Sequence, residues 1–179
     1  MKTVLTIFFV SISVVCFTQE KNKDHKLEYK SFSFSPLAIY FDNYTGGLAI
    51  NADLSFAYED NIFTFSAVTG SEFVISVLGE SKPDSFKQLN LSFGKEVKLN
   101  KIIYFDMHAG LGYFSFKSIS INTNKSGYER SDTIGFSLFT KIRFKTGNKF
   151  SLGLCFQANI NSINNVYSTG VILQWNRSD

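Results

Sequence analysis

The sequence predicts an all-β fold, a closed eight-stranded antiparallel up-and-down barrel, and three observations carry that expectation. Side-chain character alternates with a period of two in segment after segment beyond Lys30, and no window there places apolar residues at helical spacing. The composition suits strands: 20 Phe and 8 Tyr lift the aromatic fraction to 16%, while charged residues fall to 18%, below the roughly 25% of an ordinary soluble domain. The connections alternate between tight and long, as they do when hairpins share two rims of different character.

A chain of 179 residues without a break in composition is one domain. Residues 1–19 read as a signal peptide, with Lys2 as the basic end, Val4 to Phe17 as an apolar stretch too short to span a bilayer, and polar Thr18-Gln19 before the cut. Cys16 lacks the Leu and small residues that usually precede a lipidation site. Residues 20–30 form a charged leader, and the barrel is expected over 31–179. Once the signal is removed only Cys155 remains, so packing and backbone pairing must supply the stability.

Six strands follow from alternation alone. From Gly47 to Tyr58, Leu48, Ile50, Leu54 and Phe56 oppose Asn51, Asp53 and Ser55. Phe86 to Val97 sets Leu89, Leu91 and Phe93 against Gln88, Asn90 and Glu96. Ile102 to Phe116 sets Phe105, Met107 and Leu111 against Asp106, His108 and Gly110, and Asp132 to Phe144 sets Phe136, Leu138 and Ile142 against Ser137, Lys141 and Arg143. Lys149 to Ile160 and Tyr167 to Trp175 repeat the pattern. Two strands are less regular. Ser31 to Phe41 changes phase at Pro36, as a bulge requires, and Ile62 to Leu78 loses its alternation near Gly70.

Links 43–46, 79–85, 117–131 and 161–166 fall on one rim, and tight links 59–61, 98–101 and 145–148 on the other. Transmembrane barrels show this asymmetry. A soluble barrel would also alternate, but its wet face would be rich in Lys and Glu, whereas the polar faces here are dominated by Gly, Ser, Asn and Gln with a few charges. Such faces suit the crowded inside of a small barrel with lipid outside.

The chain resembles the Gram-negative outer-membrane β-barrel domain family, of the small eight-stranded type. The resemblance rests on the Gly-rich strand 107–113, the hairpin Thr146-Gly147-Asn148 and the closing strand 170–175. It implies export to the cell outer membrane, contact with outer-membrane lipid, and a barrel assembly machinery that reads Leu173 and Trp175 near the end. The polar tail Asn176 to Asp179 departs from that pattern. Residues 20–30 then form a periplasmic leader.

Asp106 and His108 share one side of a strand, where Asp53, Glu72, Lys141 and Arg143 are expected to join them as an interior polar network. A proton-transfer pair is the sharper reading, and a structural plug of paired charges is the favoured one, because unpaired charges in a narrow interior are costly. A lipid A-modifying enzyme needs a His at the membrane rim, whereas His25 sits in the leader and His108 in mid-strand. No ligand spacing for a metal exists, no cofactor is expected, and a net charge of +3 without like-charge runs argues against nucleic acid. The expected role is structural, adhesive or surface-interacting, with residues 117–131, the longest loop, as contact for an external partner. A narrow channel, a rim-located enzyme and a secreted lipocalin-like binding barrel are the alternatives.

Overall fold

The computed structural model describes residues 26–73, 83–122 and 125–177; the expected signal peptide at 1–19 lies outside them. Eight strands follow one another: β1 (Glu28–Phe41), β2 (Gly46–Tyr58), β3 (Asn61–Glu72), β4 (Ser85–Lys98), β5 (Ile103–Asn122), β6 (Lys125–Lys145), β7 (Phe150–Ile160) and β8 (Val166–Asn176). Each pairs antiparallel with its sequence neighbours, and β8 returns to β1 to close the barrel. Closure leaves no sheet edge through the body, which is what a strand-built wall in hydrocarbon requires.

Three boundaries differ from expectation. Strand β1 begins at Glu28, so Glu28, Tyr29 and Lys30 belong to the wall rather than to the leader. Strand β3 ends at Glu72, and residues 74–78 of the expected longer strand lie outside the described residues. The stretch 117–131 is paired hairpin, not loop, with β5 running to Asn122 and β6 starting at Lys125. Beyond the apolar belt a strand needs no greasy face, so alternation could not reveal it.

Pro36 sits where the ladder slips. Strand β1 shifts register against β2 between Ser35 and Ala38, and against β8 between Phe34 and Ala38. A proline has no N–H to donate, and a bulge tolerates that loss. At the tight turn between β2 and β3, Glu59 takes φ 54°, the left-handed conformation that two-residue hairpins use.

Alternation divides the wall cleanly. On β4, Leu89, Leu91 and Phe93 are exposed while Gln88, Asn90 and Ser92 are buried. Lys87 and Lys95 face outward at either end of this run. At about 3.3 Å per residue they are about 26 Å apart along the strand, which at the roughly 35–45° tilt of barrel strands is about 20 Å in height, most of the roughly 25 Å of a lipid-facing band. On the tight-turn side the band ends in rings: Trp175 stacks on Phe32 at 5.8 Å and meets Phe150 edge-on at 5.7 Å, and Phe63 meets Phe93 at 5.3 Å. Aromatic girdles of this kind mark the interfaces of membrane barrels.

Leu91 stands midway between the two lysines, so Leu91→Arg should cost about 2–4 kcal/mol of folding free energy in lipid vesicles, against about 0–1 for Leu99→Arg in the adjoining turn. Urea titration followed by gel mobility would measure both. Equal costs would mean that the outward face does not meet hydrocarbon.

Candidate functional site

Inward-facing side chains fill the lumen in two layers of different chemistry. Toward the tight turns the layer is charged. The Arg143 guanidinium donates from Nε to Asp106 Oδ2 at 2.8 Å and from Nη2 to Asp106 Oδ1 at 2.7 Å, a bidentate fork, and Nη2 also bonds Glu96. Lys30 Nζ reaches the other Glu96 oxygen at 3.2 Å. One step deeper, Lys141 Nζ donates to Asp53 Oδ1 at 2.6 Å and to Ser33 Oγ at 2.9 Å, and the Ser33 hydroxyl donates to Gln174 Oε1 at 2.9 Å. Lys141 and Asp53 are each 1% exposed. Three cations thus face three carboxylates, Lys30, Lys141 and Arg143 with Asp53, Glu96 and Asp106.

Barrel curvature explains why these partners are distant in sequence. Asp53 on β2 and Lys141 on β6 lie on strands that do not pair, so their contact crosses the lumen. Asp106 and Arg143 lie on paired strands β5 and β6, where Asp106 is opposite Lys141 and Arg143 is opposite Tyr104; the fork is therefore diagonal. Below this layer a cavity of about 460 Å³ opens to the tight-turn rim, bordered by Lys30, Glu96, Tyr104, Arg143, Asn176 and Arg177.

His108 is 2% exposed, with its ring 6.1 Å from that of Phe139 and Nδ1 3.5 Å from Thr64 Oγ1. A Cβ on Gly94 would stand 2.6 Å from that Nδ1, so the glycine makes the room the imidazole occupies. Asp106, two residues away, is engaged by Arg143 rather than by His108. Glu72 is not part of the charged layer: it lies at the opposite rim, where its carboxylate accepts a bond from the Asp84 N–H at 3.4 Å. Residue parity placed it on the inner side, but parity carries no information about height.

Toward the long-loop rim an aromatic cluster packs among buried amide side chains such as Gln88, Gln157 and Asn159. Tyr40 meets Phe86 edge-on at 4.9 Å, and Phe86 stacks on Phe114 at 6.0 Å. Ala38, Ala49, Val68 and Val166 pack around them. Gly70 leaves the space that the Phe86 ring fills, since a Cβ there would collide with it. Sequence reasoning missed this plug, although the even numbering of Phe86 and Phe114 on strands whose other even residues face inward was a signal. Leu173 and Trp175 lie on β8 with Trp175 exposed on the outer wall.

The charged layer can be tested by removing one partner. Lys141→Met strands the Asp53 carboxylate in a dry interior and should cost about 3–5 kcal/mol, whereas Lys141→Met with Asp53→Leu should recover most of it. Urea unfolding of the refolded barrel measures both, and a single substitution as mild as the double would show that the pair is not desolvated.

No protein-family model matches the sequence, and no curated protein matches it. Solved structures do. Neisserial surface protein A (NspA) superposes with a TM-score of 0.65 at 9% identity, covering 83% of this chain and 97% of that one. Ail, the attachment invasion locus protein of Yersinia pestis, matches with a TM-score of 0.59 at 13% identity over 84% of this chain and 98% of its own. The N-terminal β-barrel domain of Pseudomonas aeruginosa OprF gives 0.54 at 8% identity over 85% and 100%. With its greasy outer wall, paired charges within and alternating rims, the chain has the fold of the small eight-stranded outer-membrane β-barrels.

Proposed function

We propose that this is an integral outer-membrane protein, exported by a signal peptide at 1–19, whose barrel is a rigid support and whose β5–β6 hairpin is the working part, an adhesive or surface-interacting element. The observation that carries this reading is the unequal height of the strands. Pairing of β5 with β6 continues to Asn122 opposite Lys125, but β4 starts at Ser85 opposite Lys117, and β7 ends at Ile160 opposite Phe136. Among the described residues, the upper part of β6 therefore has no strand on its far side. The Lys145 N–H bonds back to Ile102 O, so odd-numbered β6 residues turn their main chain toward β5. By the same alternation Arg130 and Asp132 present theirs to the free side. Such an edge is a template for an added strand from a partner.

The interior favours a support over a conduit or an enzyme. Cross-lumen ion pairs occupy one half, and stacked rings with buried amides the other, as expected where eight strands enclose only their own side chains. His108 touches Phe139 and Thr64 inside the wall, away from the rim at which a lipid substrate would meet it. One structural neighbour, Ail, is an attachment protein, which agrees with a surface role. Leu173 and Trp175, on the strand that closes the barrel, are the positions proposed for recognition by the assembly machinery.

Replacing 118–129 with a two-residue turn shortens the hairpin without touching the membrane-embedded ladder. Bacteria displaying the intact barrel should attach to epithelial monolayers above the empty-vector level, and bacteria displaying the shortened one should not, at equal surface amounts of heat-modifiable barrel. Attachment that is indifferent to the hairpin would overturn the reading.

A further inference from the structure

Two of the depressions on the lipid-facing wall differ in what stands over them. One of about 370 Å³ spans β6, β7, β8 and β1, with Phe41, Leu138, Phe156 and Tyr167 around small Thr140 and Ala158; no charged side chain borders it. The other, of about 340 Å³, crosses β2 to β5. Ala52, Ala67, Thr69 and Ser115 form its floor, Ile50, Leu89 and Tyr113 its sides, and Lys87 and Arg130 its upper border.

Register explains this construction. Ala52, Ala67, Leu89 and Tyr113 lie in one row across four strands, and Ile50, Thr69, Lys87 and Ser115 in the next row toward the long-loop rim. The row above that brings Lys117 opposite Arg130. Small side chains on adjacent strands leave a slot in the apolar wall, and cations on β4, β5 and β6 stand where that wall ends.

The cations are only partly neutralised. Arg130 donates from Nε to Asp132 Oδ1 at 3.0 Å and from Nη2 to the Tyr113 hydroxyl at 2.8 Å, and Tyr113 donates to the same Asp132 oxygen at 2.7 Å. Lys117 Nζ lies 3.6 Å from the centroid of the Tyr128 ring, a contact that orients the ammonium without cancelling its charge. No carboxylate among the described residues is within ion-pair distance of Lys87. Among the described residues, Asp132 alone therefore offsets Lys87, Lys117 and Arg130, an excess of two positive charges over an apolar slot.

That excess selects the ligand. A phosphate monoester carries about −1.5 to −2 near neutral pH, a phosphodiester one negative charge, and a zwitterionic headgroup no net charge. We infer that the groove on β2 to β5 holds a lipid with a phosphate-monoester headgroup, its acyl chain in the slot floored by Ala52, Ala67 and Thr69 and its phosphate against Lys87 and Arg130. Lateral contact with the bilayer is the only access the site needs, and the inference is independent of any partner at the hairpin edge.

Native mass spectrometry of the full barrel released from nanodiscs tests it, using dioleoyl phosphatidate, phosphatidylglycerol and phosphatidylcholine as probes. Phosphatidate should be retained about tenfold more than phosphatidylcholine, a preference of about 1.4 kcal/mol, and more than phosphatidylglycerol. Lys87→Gln with Arg130→Gln should remove the preference. Ala67→Phe, which fills the floor and keeps the cations, should remove it as well and decides the matter if the double variant does not fold. Ala158→Phe, in the uncharged groove, should leave it intact. Equal retention of phosphatidate and phosphatidylcholine, a preference that survives both β3 and cation variants, or phosphatidylglycerol held as well as phosphatidate would overturn the assignment.

Discussion

Hydrocarbon offers no partner for a backbone N–H or C=O, and each one left unpaired in a bilayer costs several kcal/mol. Every other feature of this protein follows from that constraint. Eight strands satisfy one another only if β8 comes back to β1, and once it does, side chains must alternate between lipid and lumen. Leu91 and Leu111 are more than half exposed because the medium that surrounds them is apolar, not because the fold fails to cover them. Polar groups are driven inward, and inside so narrow a tube each ion has to find a counter-ion. The Arg143 fork on Asp106 and the Lys141–Asp53 contact are consequences of closure as much as of charge.

The lumen resolves this demand in two ways along its axis. Near the tight turns, three cations and three carboxylates neutralise one another through contacts that tie β1, β2, β4, β5 and β6 across the tube. Near the long loops, Tyr40, Phe86 and Phe114 exclude water by volume. Either filling braces the wall from inside, beneath the β5–β6 hairpin. The outer wall is then free to vary, and where small residues cluster on β2 and β3 it retains a slot that a lipid can enter.

What could be read from residue order was what lipid enforces. Alternation through Leu89, Leu91 and Phe93 marks β4 because every second position meets hydrocarbon, and Pro36 marks the bulge because a missing N–H cannot sit in a ladder. Asp53, Asp106, His108, Lys141 and Arg143 were recognisable as inward by parity. Their pairing was not, since the Lys141–Asp53 contact depends on strands facing across a diameter. Glu96 shared the inward parity without being picked out for the network, and Lys30 was assigned to the leader; both complete the charge layer. Glu72 has the same parity but stands at the wrong height. The aromatic plug was hidden by the expectation of a polar lumen, and the upper hairpin by the loss of alternation where lipid stops imposing it.

The slip at Pro36 has a mechanical corollary. It interrupts the bonding of β1 to both neighbours at one level, and the β1–β8 junction is also the shortest of the eight ladders. A cylinder built this way is not equally strong around its circumference. Under lateral tension it should tear first along that line, the junction between the first and last segments of the wall.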